Sequence, residues 1–365
     1  MKDVLGIINV TQENPNLQAL GSHRCQASIP YAGRYRIIDF ILSNMVQANI
    51  RNIAVFAPPN YRSLLDHLGS GKDWDLEYKQ DGLFIFPQNA LANNNQGDIS
   101  ILNQHLDYLE KSNQTYVLLS FGSLIMNIDF KGLIKHHIHS GSDITVLYKQ
   151  KENDDLSLSN ILLDDFQNIS SFKASGSPHG SLDIFVLRKD LLIQLIKKHA
   201  HQSVNLLEIL MESADKYSMN AFKFDGYVQK IDSVASYYQS NMQLLESCFL
   251  AHALFSPNEI YSKLKDEPPT KYGETSKVKN VIIANGCVIE GEVENSILFR
   301  GTRVEKGAVI KNSIVFPKSV IGEYAQLDGV IVDKELAILP FERLSGTMTS
   351  PKVVTKHKII GREIG

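Results

Sequence analysis

Residues 279–333 repeat themselves, and the repeat narrows what this part of the chain can become. NSILF at 295–299 recurs as NSIVF at 312–316, and DGVIV at 328–332 echoes both, a period of 16 to 17 residues. Inside that period apolar residues fall six apart, as in Ile283 and Ile289, Val304, Ile310 and Phe316, or Val315, Ile321 and Leu327. Glycines at 286, 291, 301, 307, 322 and 329 punctuate the run. A six-residue period with about three hexads per turn predicts a coil of short parallel strands stacked on itself, the hexapeptide β-helix. A β-sandwich with similarly spaced strands is the alternative, and the period of six favours the coil. An open coil cannot bury its last turn alone, so it needs a cap from another domain or from a partner subunit.

The chain before the repeat has another texture. Residues 4–10, 52–57, 116–120 and 143–148 are short, apolar and β-rich, as strands buried on both faces are. Between them, 37–47 and 99–109 carry apolar residues three and four apart. Strand and helix in alternation predict an α/β domain, a parallel sheet with helices on both faces. Residues 151–180 are polar and read as sheet-edge or loop insertions, and helical patterning returns at 191–199, 206–216 and 236–255. Pro257 and the pair Pro268-Pro269 stop any helix. The expected division is an α/β domain over 1–256, a linker over 257–277 and the coil over 278–365. Two domains also suit 365 residues at about 150 per domain.

Composition excludes several classes. Lys plus Arg total 37 against 40 Asp plus Glu, a net charge of −3, which gives no electrostatic reason to expect nucleic acid or an anionic membrane as partner. Cys25, Cys248 and Cys287 are too few and too scattered for a disulfide framework or a metal site, and fit a reducing cytosol. Asp3 stands where a signal peptide would want only bases. No stretch reaches the roughly 18 apolar residues that a spanning helix needs. A cytoplasmic location is expected.

Four motifs carry a resemblance. GRYRIIDF at 33–40, followed by LSN at 42–44, resembles the GKYRIIDFxLSN signature of the glucose-1-phosphate adenylyltransferase family, also called ADP-glucose pyrophosphorylase. Residues 63–75, with Ser63, Leu64, His67, Gly71, Trp74 and Asp75, resemble its SLxxHxxxGxxWD segment. PPTKY at 268–272 is similar to the family's linker, and 295–301 to its NSVLFxG coil turn. The likeness spans nearly the whole chain. It implies a Rossmann-like nucleotidyltransferase domain with a mostly parallel sheet, followed by a left-handed parallel β-helix.

The family's reaction joins the nucleotide's α-phosphate to glucose 1-phosphate and expels pyrophosphate. Such chemistry rests on positioning and on neutralising phosphate charge. It calls for a glycine-rich loop, basic residues, and carboxylates for Mg²⁺. Where the family has GGxGxRL after the first strand, this chain has NVTQENP at 9–15, with no glycine before Gly21 and with the negative Glu13. RCQASIPY at 24–31 aligns with RAKPAVPF, so Gln26 stands at the catalytic lysine. The first metal aspartate falls at Gly122 or Ser123, and Asp129 matches a later aspartate expected to cap a helix. The second falls at Lys230, and Asp232, expected on the same strand face, is about 7 Å too far along to substitute. A lysine there can mimic the cation's charge or mark simple loss of the site.

The sugar-contacting EKP resembles residues 173–176, where Lys173, Ala174, Ser175 and Gly176 keep neither of its charges in place, and only Ser181 survives from SMGxYxF. Five needs fail at five separated places. No catalytic residue and no metal ligand is therefore assigned, and no cofactor is expected on this chain, with Mg²⁺ left to a catalytic partner.

Arg24 and Arg36 match positions where the family binds anionic effectors, although Arg36 can equally serve its own motif internally. Lys352, Lys356, Lys358 and Arg362 near the end can extend such a site or be a solvated surface. Retained scaffold with lost chemistry resembles the non-catalytic, GlgD-type regulatory subunits of bacterial glycogen biosynthesis. The resemblance implies a hetero-oligomer with a catalytic homologue, expected as a tetramer, an anionic effector, and a homo-oligomer when alone. An active nucleotidyltransferase with an unusual phosphate loop and a stand-alone sugar-phosphate or nucleotide sensor are the alternatives.

Overall fold

The computed structural model describes residues 3–21, 24–78, 80–89, 97–151, 158–172, 176–246, 248–255 and 258–355. By contacts the chain forms two compact units. One comprises 1–13, 38–230 and 257–261, and the other 14–37, 231–256 and 262–365. The segments 14–37 and 231–256, read from sequence with the α/β domain, thus group with the coil. Among the described residues no helix is long and apolar enough to cross a membrane.

The first unit is built on a sheet. Its strands run in the order Ile169–Phe172, Ser159–Leu163, His179–Arg188, Tyr116–Phe121, Val4–Asn9, Asn52–Ala57 and Leu83–Pro87. From Tyr116–Phe121 to Leu83–Pro87 the pairing is parallel. His179–Arg188 runs against both Tyr116–Phe121 and Ile144–Gln150, and Met219–Lys223 then lies parallel to Ile144–Gln150. The apolar runs within Val4–Asn9 and Asn52–Ala57 follow from their place, since both strands are buried along their whole length. The polar stretch expected as loop or edge carries two strands, Ile169–Phe172 at the end of the sheet and Ser159–Leu163 between it and His179–Arg188.

The single helix expected over 99–109 is two, Ile99–Gln104 and Leu106–Lys111. They part at His105, whose ring stacks on Phe86 at 4.4 Å. Two motifs of the sequence meet here. His67 Nε2 lies 2.6 Å from Asp39 Oδ1, both buried, and Trp74 packs edge-on to His67 at 5.6 Å. Those motif residues are scaffold.

The second unit holds the coil, and its pairing is parallel throughout. Val304 pairs with Ile321 and Ile321 with Ile338, while Ile310 pairs with Leu327 and Leu327 with Leu344, a step of 17 residues each time. The repeated asparagines have a backbone reason. Asn295 and Asn312 take φ of +44° and Gly329, 17 further on, takes +67°, so this corner of the turn is left-handed, as are the corners at Gly301, Lys318 and Glu335 and at Gly307, Tyr324 and Phe341. Asn and Gly are the residues that adopt that conformation at least cost. Gly329, rather than Asp328, therefore takes the asparagine's place.

The serines after Asn295 and Asn312 are also explained. Ser296 Oγ accepts from Ser313 N, and Ser313 Oγ from Val330 N, each at 3.1 Å, so buried hydroxyls tie one turn to the next. Ile289, Val304, Ile310, Ile321, Leu327 and Ile338 fill the interior.

The helix Val234–Glu246 closes on this unit through tyrosines. Tyr237 donates to Pro30 O at 2.5 Å and Tyr238 donates to Asn312 O, while Asn241 Oδ1 accepts from Ala32 N at 2.9 Å. The Tyr237 ring meets Phe316 edge-on at 6.2 Å. If the stacked interior carries the coil, Ile310→Ala should lower the unfolding free energy by about 2–5 kcal/mol in urea titrations, with the denaturant slope unchanged.

Candidate functional site

In the first unit, the loop after Val4–Asn9 is filled with polar side chains that bond to the protein itself. Buried Asn9 donates from Nδ2 to Asp98 Oδ2 at 2.7 Å, and its Oδ1 accepts from Thr11 N at 3.2 Å and Thr11 Oγ1 at 2.7 Å. Asp98 Oδ1 accepts from Leu206 N at 2.6 Å. Asn205 Oδ1 accepts from Asp98 N at 3.2 Å and from Gln12 Nε2 at 2.6 Å. Glu13 accepts from Asn60 Nδ2 at 3.1 Å. A phosphate loop works by presenting free backbone amides, whereas here the amide of Thr11 is already taken by Asn9.

The sequence carries no signal for the role of Asp98. It stands at the N-cap position of Ile99–Gln104 yet makes no side-chain cap there, and serves instead the first turn of Leu206–Glu212. Burial pushes its carboxyl up to about 6, against the pull of the Leu206 and Asn9 bonds.

The positions that the resemblance assigns to metal and sugar hold other chemistry. Gly122 has φ +72° and no side chain, and the neighbouring Ser123 is half-buried. Asp129 caps the helix Phe130–Ser140, accepting from Lys131 N at 2.9 Å. Lys230 ends the strand Val228–Lys230 and bonds Asp183 Oδ2 at 3.0 Å. Ser181, fully buried in His179–Arg188, donates to Asp183 Oδ1 at 3.1 Å and accepts from Asp183 N at 3.0 Å.

Asp232 does not share the strand face expected of it. The strand stops at Lys230, and the Asp232 amide bonds Ser236 Oγ at 3.1 Å in the second unit. Among the described residues no group of three His, Cys, Asp or Glu side chains is placed to hold a metal ion. The Mg²⁺ that the resemblance implies does not fit here, since an ammonium at Lys230 repels a divalent cation and neither Gly122 nor Ser123 offers a carboxylate. Residues 173–175 lie outside the described residues.

In the second unit, Gln26 is spent on its own loop. Its Nε2 donates to Asn14 O at 2.6 Å and its Oε1 accepts from Asn14 N at 2.8 Å. Arg24 is buried, with Nη2 2.5 Å from Asp333 Oδ1 and its guanidinium 5.6 Å above the Phe316 ring. Its Nη1 is buried without a hydrogen-bond partner among the described residues. Arg36 is half-buried in the short strand Tyr35–Arg36, opposite Pro30. Lys352 is exposed at the start of Lys352–Val354, and Lys356, Lys358 and Arg362 lie outside the described residues.

The same unit contains a cleft of about 390 Å³ that the sequence did not announce. Arg34, Lys263, Lys265 and Arg300 line it, with Glu267 as their acidic neighbour. Burial and then the charges of Lys263, Arg300 and Lys318 hold the Lys265 ammonium below its usual pKa.

The raised pKa of Asp98 fixes the sign of a pH effect. The folded chain binds this proton more tightly than the unfolded chain, so stability from Asp98 is gained as pH falls through about 6 and is complete below 3.8. In urea titrations, lowering the pH from 7 to 4.5 should stabilise the wild type relative to Asp98→Asn by about 2 kcal/mol. A pH-independent difference would show that Asp98 does not titrate in that window.

Comparison with known proteins agrees with this architecture. Residues 16–247 match the nucleotidyl transferase family model and 268–345 match that of the GlmU-like C-terminal hexapeptide. The glycogen biosynthesis protein GlgD of Bacillus subtilis is 38% identical over 98% of this chain and 97% of its own length. GlgD of Geobacillus stearothermophilus is 39% identical over 99% and 98%. The glucose-1-phosphate adenylyltransferase of Bacillus cereus is 29% identical over 88% and 89%. With both domains matched in order and GlgD proteins alike from end to end, the chain belongs to the nucleotidyl transferase family and, within it, to the GlgD glycogen biosynthesis proteins.

Proposed function

We propose that this chain is a non-catalytic regulatory subunit of glucose-1-phosphate adenylyltransferase, working in the cytoplasm within a hetero-oligomer, a tetramer, with a catalytic homologue. The observation that carries the reading is the pairing of Lys230 with Asp183. The charge at this position is neutralised inside the protein, and what phosphoryl transfer needs most is unspent charge facing phosphates. Asn9 and Gln26 add to it, because their polar atoms are committed to neighbouring protein groups.

A subunit without chemistry changes a partner only by contacts that favour one of the partner's states. An anionic effector gives those contacts something to respond to, and the cleft of Arg34, Lys263, Lys265 and Arg300 suits one. Arg24 and Arg36 belong to the same proposal, Arg24 offering its buried Nη1 as donor.

The test is the rate of ADP-glucose synthesis by the cognate catalytic subunit alone, by this chain alone, and by both together, with and without a panel of sugar phosphates. The expected result is no turnover by this chain and a changed maximal rate or effector response in the mixture. Turnover by this chain alone, abolished by chelating Mg²⁺, would establish it as an active transferase. Ligand-induced stabilisation with no effect on the partner would establish a sensor. Lys265→Glu should weaken the mixture's response to an activating or inhibiting anion about tenfold or more while leaving the partner's basal rate unchanged.

A further inference from the structure

Asp183 is held in a backbone conformation that favours glycine. It lies in His179–Arg188 where the register against Ile144–Gln150 slips between Ser181 and Phe185, and its φ is +55°. An L side chain enters that region at a cost, and aspartate is among those that tolerate it when its carboxylate finds local partners.

Both oxygens here are engaged. Oδ1 accepts from Ser181 Oγ at 3.1 Å, Oδ2 accepts from Lys230 Nζ at 3.0 Å, and Ser181 Oγ accepts from the Asp183 amide at 3.0 Å. Ser181 thereby fixes the backbone and the carboxylate together. The exposures of the two charged side chains differ, 24% for Lys230 and 7% for Asp183. The lysine thus keeps one side towards solvent while the carboxylate stays beneath it.

This is the geometry of an anion site already filled from within. A partly buried ammonium with solvent on one side is a good receptor for a phosphate monoester, which carries between one and two negative charges at neutral pH. With Asp183 in place, an incoming phosphate meets a fixed carboxylate 3.0 Å from the same nitrogen, and like charges that close oppose binding strongly. The carboxylate cannot swing clear, because Ser181 and the left-handed backbone at Asp183 hold it. We propose that Asp183 is a built-in counter-anion that occupies Lys230 and so bars phosphate monoesters, sugar phosphates among them, from a latent binding site.

Because it rests on the non-catalytic reading above, the device is tested by ligand binding to this chain without any partner, where the outcome of the rate assay has no bearing. The full chain, its Asp183→Asn and Asp183→Gly variants, and the double variant Asp183→Asn with Lys230→Gln are titrated calorimetrically with glucose 1-phosphate and with inorganic phosphate, all in the presence of EDTA. Asp183→Asn should bind at least about tenfold more tightly than the wild type, and the double variant should lose that gain. Asp183→Gly gives the same reading if asparagine disturbs the fold, since glycine adopts the φ at this position freely. Two results would overturn the proposal: folded Asp183 variants that bind no more tightly than the wild type, or a gain that persists without Lys230.

Discussion

Each turn of the coil must bring the chain back over itself 17 residues later, and left-handed corners make that return, among them those at Gly301, Lys318 and Glu335 and at Gly307, Tyr324 and Phe341. Asn295, Asn312 and Gly329 supply another in successive turns. Once the corner is set, the next residue places a hydroxyl against the amide of the turn above, and the residues beyond deliver Ile, Val and Leu to the interior. The parallel pairing then satisfies the backbone without any further device. The helix Val234–Glu246 depends on the same corner, because Tyr238 bonds the carbonyl of Asn312.

The charges sort by what surrounds them. The pair of Arg24 and Asp333 is buried on both sides, and removing one partner of such a pair costs about 3–5 kcal/mol. Exposed pairs such as Lys111 with Asp107 are screened by water and contribute little. Arg24 therefore holds the second unit together whatever else it does. The cleft is the opposite case. Burial first, and then the neighbouring cations, hold the Lys265 ammonium below its usual pKa, and an anion there would offset the second of these causes.

Much of the fold was legible because its signals are periodic. The coil shows in a six-residue spacing, and the buried strands show in the apolar runs at 4–8 and 53–57. Asp129 was legible as a cap because its partner is two residues away. What was not legible depends on residues far apart in the chain. Asp98 carries no periodic or motif signal, and it bonds Leu206, 108 residues on. Nothing in the spacing of Lys230 and Asp183, 47 apart, says that they meet. The grouping of 14–37 with the coil is of the same kind, since Arg24 meets Asp333, 309 residues on.

Gln26 shows how such a site becomes hard to reopen. A lysine at this position would need only one changed side chain, but the glutamine now holds Asn14 by both its amide oxygen and its amide nitrogen. An ammonium has donors and no acceptor, so it could keep the bond to the Asn14 carbonyl and would leave the Asn14 amide without its partner. The loop and the residue have become mutually dependent. Gln26→Lys would therefore give a less stable protein, and the glutamine is locked in place by the loop that it holds.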